Sequence, residues 1–284
     1  MGISPTAAKI FLTGTARPNL HLEVRYTKDG KDHFDDFLDW LLRIYSRRGQ
    51  TNTDQDPSLQ RGERPTAVCG IIYTHYRRTC TELATRLTAA GVGAKAYHAG
   101  LSTEEKSDRL RGWVADEVGY DVIVATTAFG MGIDKGNVRF VVHWGIGTAV
   151  EGWYQEMGRA GRDGRASIAL VYYSREDRDR GYVLVGREMR ALGRKEDVVR
   201  ARAESFQALV DYCEASGECR HRIVQRFFHG KQSKEEVQCE WACDYCKIGR
   251  AEIRRRKIEG LADEEWVSTQ RERGRFDDFD FEME

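Results

Sequence analysis

The sequence carries no net charge: 45 lysines and arginines balance 45 aspartates and glutamates. Overall electrostatics therefore gives no reason to expect nucleic acid, and any such contact has to rest on local clusters. No stretch is apolar for the ~20 residues that a membrane span needs, so no membrane partner is expected. The start, from Met1 to Leu12, lacks the charged and apolar regions of a secretory leader. Gly2 and Thr6 do fit a loose myristoylation spacing, a pattern short enough to arise by chance. Internal repeats are also missing.

What is present is enough for a folded core. The 284 residues, 40% of them hydrophobic, allow one large domain or two modest ones. There are seven cysteines, an odd number for a disulfide scaffold, and five of them fall from Cys213 to Cys246. Clustered thiols without a secretion signal point to a metal site in a reducing compartment.

Periodicity divides the chain. Leu20, Leu22, Val24 and Tyr26 alternate with polar residues, as in a strand, and Phe34, Phe37, Leu38, Leu41 and Tyr45 recur at helical spacing. From Arg47 to Thr66 the chain is polar and reads as a surface insertion. Strand-like runs then alternate with helices. The runs are Ala67 to His75, Ala94 to Ala99, Asp121 to Ala125, Val138 to Trp144 and Ile168 to Tyr173. Helix faces come from Cys80, Leu83, Ala84, Leu87 and Ala90, from Leu110, Trp113 and Val114, and from Val150, Trp153, Tyr154 and Met157. Ser102 and Glu105 have the spacing of a capping box at the start of the second of these helices. Such alternation predicts an α/β fold, a parallel sheet with helices on both faces. After Tyr173 only helices are expected, with Phe206, Leu209, Val210 and Cys213 forming one stripe. The charge-segregated stretch 249–284 is expected to be an unstructured tail.

Three segments carry chemistry. Gln155 to Gly164 holds Arg159 and Arg162, three apart and each preceded by glycine. Guanidinium forks suit phosphate oxygens, and glycine lets backbone approach a ligand. An exposed basic turn is the plain alternative. The strand Asp121 to Ala125 runs into a loop of small residues containing Thr126, Thr127, Gly130, Gly132 and Asp134. That loop leaves the carboxyl edge of the sheet, where open α/β folds bind ligands; a ligand-free connection is the alternative. Finally, Cys219 precedes Cys239, Cys243 and Cys246, which have C-x3-C-x2-C spacing. Four thiolates close a zinc coordination shell, so the expected site is structural. Cys213 has the phase of a core residue, and Cys69 and Cys80 fit strand and helix cores. His221 and His229 are expected at exposed or DNA-facing positions, with a role as spare metal ligands as the alternative.

Taken in order, these segments resemble the RecQ family of DNA helicases from about Thr15 to Lys247. Asp121 to His143 looks like the family's motif V, and Gln155 to Gly164 like its motif VI. Gly70 to Tyr73 with Arg77 looks like motif IV, Tyr97 to Leu101 like the next block, and Thr15 to Leu20 like the segment joining the two motor lobes. The resemblance implies a RecA-like lobe followed by a small helical zinc-binding module. It implies an interlobe lead-in over 1–19, the lobe over 20–180 and the module over 181–248. It further implies that Arg162 acts as an arginine finger, with Arg159 beside it and Gln155 coupling nucleotide state to lobe closure. Asp134 and Gly132 would join these arginines at the nucleotide, and Thr126, Thr127, Arg77 and His98 would meet the DNA backbone.

The sequence departs from the family at Gly136 and Gly147, where prolines are usual, at Tyr76, in place of a small residue, and at Trp153, in place of a tyrosine. It contains no G-x-x-x-x-G-K-[ST] loop and no D-E-x-H box. ATP and magnesium are therefore expected only with a separate first lobe, while zinc is expected in this chain. The implied activity is 3′-5′ DNA unwinding in the nucleus, with DNA as partner. The alternative is a non-catalytic nucleic-acid or partner-binding module derived from such a motor.

Overall fold

The computed structural model describes residues 17–50, 68–126, 129–130, 133–191, 196–229, 239 and 242–261. Six strands form one sheet: β1 (Leu20–Tyr26), β2 (Gly70–Tyr73), β3 (Ala94–Tyr97), β4 (Val122–Ala125), β5 (Phe140–Trp144) and β6 (Ser167–Tyr173). Their order is β1-β6-β5-β2-β4-β3, and every pairing is parallel. Parallel neighbours need crossover connections. Among these are α1 (Phe34–Gln50), α2 (Arg77–Ala89), α3 (Thr103–Val114) and α4 (Val150–Met157).

Strand periodicity decides which residue enters which core. Ile71, Ile123, Val141 and Val171 belong to one buried cluster, and their strand neighbours Ile72, Val124, Val142 and Leu170 to the other. Phe34, Phe37 and Leu41 of α1, with Cys80, Leu83 and Leu87 of α2, cover the second cluster. Trp113 of α3 and Val150, Trp153 and Met157 of α4 cover the first. The sheet is thus apolar on both faces and covered on both, as the unbroken apolar strands require.

Local signals account for several boundaries. The capping box at α3 is present, with Glu105 N donating to Ser102 Oγ (3.1 Å) and Ser102 N donating to Glu105 Oε2 (2.9 Å). Trp113 is fully buried, whereas Val114, expected on the same face, is 48% exposed. One residue further round the last turn carries it ~100° away from the core. Helix α1 continues to Gln50, into the stretch expected to be an insertion; residues 51–67 lie outside the described set.

Four helices follow the sheet: α5 (Arg175–Ala191), α6 (Glu196–Glu214), α7 (Arg220–His229) and α8 (Asp244–Leu261). Phe206, Leu209, Val210 and Cys213 of α6 and Val224 of α7 join the same cluster as Leu20, Leu22 and Val24 of β1. The apolar core therefore runs through the boundary expected at 180/181, which falls inside α5.

The stretch expected to be an unstructured tail needs correction: through Leu261 it is helical, with a kink at Gly249 (φ 80°). Ile253 and Leu261 are buried, and Arg255 pairs with Glu252 and Glu259 at helical spacing. Opposite charges three and four apart support a helix, and two apolar residues are enough to seat it. Residues 262–284 lie outside the described set. No helix among the described residues is long and apolar enough to cross a membrane.

Candidate nucleotide cleft and cysteine centre

Helix α4 ends at Met157, and the chain turns through Gly158 to Ala166 before entering β6. Arg159 points inward from this turn, its Nη1 donating to the carbonyl of Gly130 in the loop after β4. Gly130 has φ +135°, and a Cβ there would come within 2.3 Å of the Arg159 guanidinium, so only glycine fits. The Arg159 Nε is buried with no hydrogen-bond partner. Tyr73, whose hydroxyl donates to the Phe129 carbonyl (3.1 Å), lies against Arg159. Burial raises the pKa of its hydroxyl, and the Arg159 charge opposes that rise.

Arg162 reaches the same loop a few residues further on. Its Nη1 donates to the Ile133 carbonyl (3.0 Å) and approaches Asp134 Oδ1 (3.3 Å). Asp134 is 93% exposed, so this ion pair is weak and an incoming anion can displace it. Arg17, Tyr154, Gln155, Asp134, Arg159 and Arg162 line a cleft of about 590 Å³. Arg159 and Arg162 bring two guanidiniums to this cleft, a set suited to oxyanions and phosphates above all, while the Arg17 guanidinium donates to backbone carbonyls of the turn. The wall also includes Leu20, the first residue of β1, and Gly130 and Ile133 of the loop that leaves the carboxyl end of β4. Gly132 and Thr127, both expected at this site, lie outside the described residues.

The other expected residues form a separate group. Thr126 follows β4, its N–H donating to the Tyr97 carbonyl (3.2 Å). His98 follows β3 and meets Thr81 Oγ1 through Nε2 (3.1 Å). A Cβ on Gly100 would lie 3.3 Å from His98 Nδ1 and 3.7 Å from Arg77 Cδ, which places Arg77 and His98 on one rim. Burial, then the charges of Arg109 and Arg77, lower the His98 pKa. This rim is at the carboxyl ends of β3 and β4 and contributes nothing to the arginine cleft.

Cys219, Cys239, Cys243 and Cys246 converge, with all four sulfurs within 4.8 Å of one another. Zn–S bonds of about 2.3 Å set the edge of a sulfur tetrahedron near ~3.8 Å. The Cys219 and Cys243 sulfurs are 3.8 Å apart. Cys246 N–H points at Cys243 Sγ (3.4 Å), a contact that orients a metal-bound thiolate. The hydrogen bond from Cys243 is the main influence that lowers the Cys219 thiol pKa, while burial raises that of Cys239. A soft, thiol-only donor set of this size fits zinc.

Cys213 is fully buried and outside the cluster, and Cys69 and Cys80 are buried in the sheet cores, as their periodicity predicted. The expectation for His221 was wrong. It is buried, its Nε2 bonded to the Ala242 carbonyl (3.0 Å), because it lies on the face of α7 that meets the cysteine turn. The His229 side chain lies outside the described set.

Sequence reasoning missed two features. Arg220 and Asp244, each directly following a cysteine of the cluster, form a buried pair with Nε–Oδ1 at 2.9 Å and Nη2–Oδ2 at 3.2 Å. Asp244 also accepts from Val24 N (3.0 Å), and Leu22 N donates to the Ala242 carbonyl (3.0 Å), so the cysteine turn docks on β1. The second feature is Arg17 and Asn19, which bind the arginine turn. The sequence signals were a charge next to each of two cysteines and, for Arg17 and Asn19, their place in the Thr15 to Leu20 segment that resembles the family's lobe junction, which names no partner for either.

Residues 60–164 match the family described as "Helicase conserved C-terminal domain", and residues 176–247 match "RecQ zinc-binding". ATP-dependent DNA helicase Q5 of Mus musculus is 37% identical over 240 residues, covering 84% of this chain and 22% of that protein. RecQ-like DNA helicase blm-1 of Caenorhabditis elegans is 39% identical over 259 residues, covering 87% and 25%. The chain thus spans a quarter or less of the length of these relatives. A DEAD box protein structure from Methanococcus jannaschii aligns with a TM-score of 0.39 at 20% identity, over 62% of this chain and 40% of that one.

Proposed function

This chain belongs to the RecQ helicase family, and from that premise we propose that it is the second motor lobe, with its zinc module, of an ATP-driven 3′-5′ DNA helicase. The observation that carries the reading is the arginine turn. Arg159 is anchored inward on Gly130, and Arg162 stands at the lip of the cleft on a weak, displaceable ion pair. That is the arrangement an arginine finger needs: one guanidinium fixed, and one free to meet charge that develops on a transferring phosphoryl group.

In this reading Arg162 meets the γ-phosphate, Arg159 the neighbouring phosphate oxygens, and Gln155, exposed on the cleft wall, transmits nucleotide state. Asp134 and Gly132 belong to the same loop contact. Thr126, Thr127, Arg77 and His98 meet the DNA backbone, a contact that positions without reading sequence. Cys219, Cys239, Cys243 and Cys246 hold one zinc ion, whose role is to cross-link the module. Residues 1–19 form the lead-in from the other lobe. ATP and magnesium enter with a lobe that carries the phosphate loop and the metal-holding box, and such a motor acts where the genome is, in the nucleus of a eukaryote.

The test is steady-state ATP hydrolysis with single-stranded DNA. The 284-residue chain alone is expected to give no turnover. Joined to a RecQ-type first lobe, it is expected to give DNA-stimulated turnover. Turnover by the chain alone, or none by the joined protein, would contradict the reading.

A further inference from the structure

We infer that Arg17 and Asn19 are positioning residues that fix the geometry of the arginine turn. This rests on the reading of Arg159 and Arg162 as the phosphate-facing pair.

The turn has a backbone problem. Helix α4 ends at Met157, and the amides of Gly158, Arg159 and Ala160 are used on the carbonyls of Tyr154, Glu156 and Met157, so the carbonyls of the turn itself must find donors elsewhere. The chain then reverses through Gly161, at φ +61°, before Ser167 opens β6. Carbonyls left unpaired here would let the turn sample several conformations, and the two guanidiniums would move with it.

Gly161 and Arg165 receive local bonds from Gly164 N (3.1 Å) and Ser167 Oγ (3.1 Å), and Arg17 and Asn19 add donors to these and to the neighbouring carbonyls from more than 140 residues away in sequence. Arg17 Nη2 donates to the carbonyls of Ala160 (2.7 Å) and Gly161 (2.9 Å), and Nη1 approaches that of Gly158 (3.4 Å). Asn19 Nδ2 donates to the carbonyls of Gly161 (2.8 Å) and Arg165 (2.9 Å). Two side chains thus hold four carbonyls that bracket both Arg159 and Arg162. A cation at a helix carboxyl end is also favoured by the helix dipole.

The residue types follow from the geometry. Only arginine offers a planar fork with enough donors to span the consecutive carbonyls of Ala160 and Gly161 and reach Gly158. Asparagine offers two amide hydrogens and is short enough to sit under the turn. Gly161 completes the fit, because a Cβ there would come within 2.6 Å of Asn19 Nδ2 and 2.8 Å of Ser167 Oγ. The turn can approach Asn19 this closely only without a side chain.

Arg17 itself lines the cleft, but both bonds from its Nη2 and the Nη1 approach to Gly158 go to the turn. Its effect on the reaction is therefore indirect. Losing it should impair the placement of Arg159 and Arg162 in the transition state more than it impairs nucleotide binding.

Two measurements on Arg17→Gln and Asn19→Ala test this. The first is backbone hydrogen exchange on the 284-residue chain without nucleotide. Each charge-assisted bond is worth enough that amides of 158–166 should exchange about tenfold faster in Arg17→Gln, with β2 and β4 unchanged. The second is turnover of the joined protein, where kcat should fall about tenfold or more while KM for ATP stays within about twofold. Arg17→Lys, which keeps the charge but not the fork, should leave most of both defects in place. If Arg17→Gln proves too unstable to purify, Asn19→Ala, which removes only two bonds, decides the matter by the same readouts. Unchanged exchange at 158–166, acceleration spread evenly over the chain, or a rise in KM at constant kcat would each overturn the inference. If the wild-type joined protein shows no turnover, the proposed function fails, and the exchange result still decides whether the two residues hold the turn.

Discussion

Replacing Arg220 by methionine should be among the most destabilising single substitutions in the chain. Arg220 is fully buried and Asp244 is 3% exposed, so the pair is out of water on both sides. Its guanidinium makes two bonds to the carboxylate, donates to the Tyr212 carbonyl and reaches Tyr26 Oη (3.4 Å). Methionine fills much of the volume but leaves Asp244 as an uncompensated buried charge. Removing one partner of such a pair typically costs about 3–5 kcal/mol, a large part of the ~5–15 kcal/mol that holds a domain folded. The double variant Arg220→Met with Asp244→Asn should recover part of the loss. Asparagine removes the charge and keeps one oxygen, which can take either Val24 N (3.0 Å, now on Oδ2) or Tyr245 N (2.6 Å, now on Oδ1) but not both, so the recovery is partial. The assay is urea denaturation followed by circular dichroism at saturating zinc, on the wild type, both single variants and the double variant. Because Cys219 and Cys243 directly precede the pair, Arg220→Met should also release zinc more readily to a chelator. A loss below about 1 kcal/mol, or a double variant no better than the worse single one, would refute the argument that the pair locks the cysteine turn onto β1.

Two further outcomes follow from the same sites. Purified protein should carry one zinc by native mass spectrometry. Cys243→Ser should lose it and loosen α7 and α8, whereas Cys213→Ser should keep it; loss of metal from the latter would mean a different ligand set. DNA binding should be weak and sequence-tolerant. With about four phosphate contacts, raising salt from ~50 to ~200 mM should weaken single-strand binding roughly fiftyfold in a fluorescence titration. Binding that persists at high salt, or that depends on base sequence, would count against a backbone-tracking surface.

Much of the fold was legible because it is written in short-range patterns. Alternation marked β1, unbroken apolar runs marked the inner strands, and Ser102 with Glu105 marked the start of α3. The four cysteines were legible for the same reason, since three of them share one turn. What escaped is held by contacts between distant positions. Nothing near Arg17 in sequence says that its donors end on Ala160 and Gly161, and nothing near Arg220 names Asp244 as its partner. The charged stretch after Lys247 misled in the opposite sense. Its composition is that of a solvated tail, but Ile253 and Leu261 fall on one side of a helix laced by Arg255, Glu252 and Glu259, and Gly260 lets that helix close on Tyr26.

The central claim is that Arg162 completes a phosphoryl-transfer site shared with another lobe, and substituting that one residue tests it most directly. In the joined protein, DNA-stimulated ATP hydrolysis is measured for the wild type and Arg162→Ala, alongside DNA affinity for both. Arg162 is exposed and, among the described residues, bonds only to the Ile133 carbonyl and an exposed carboxylate, so its loss should leave the fold intact. Arginine fingers are commonly worth about 10³–10⁵ in rate. A fall in kcat of that order with unchanged DNA affinity is the predicted result, and turnover within a few-fold of wild type would contradict the account.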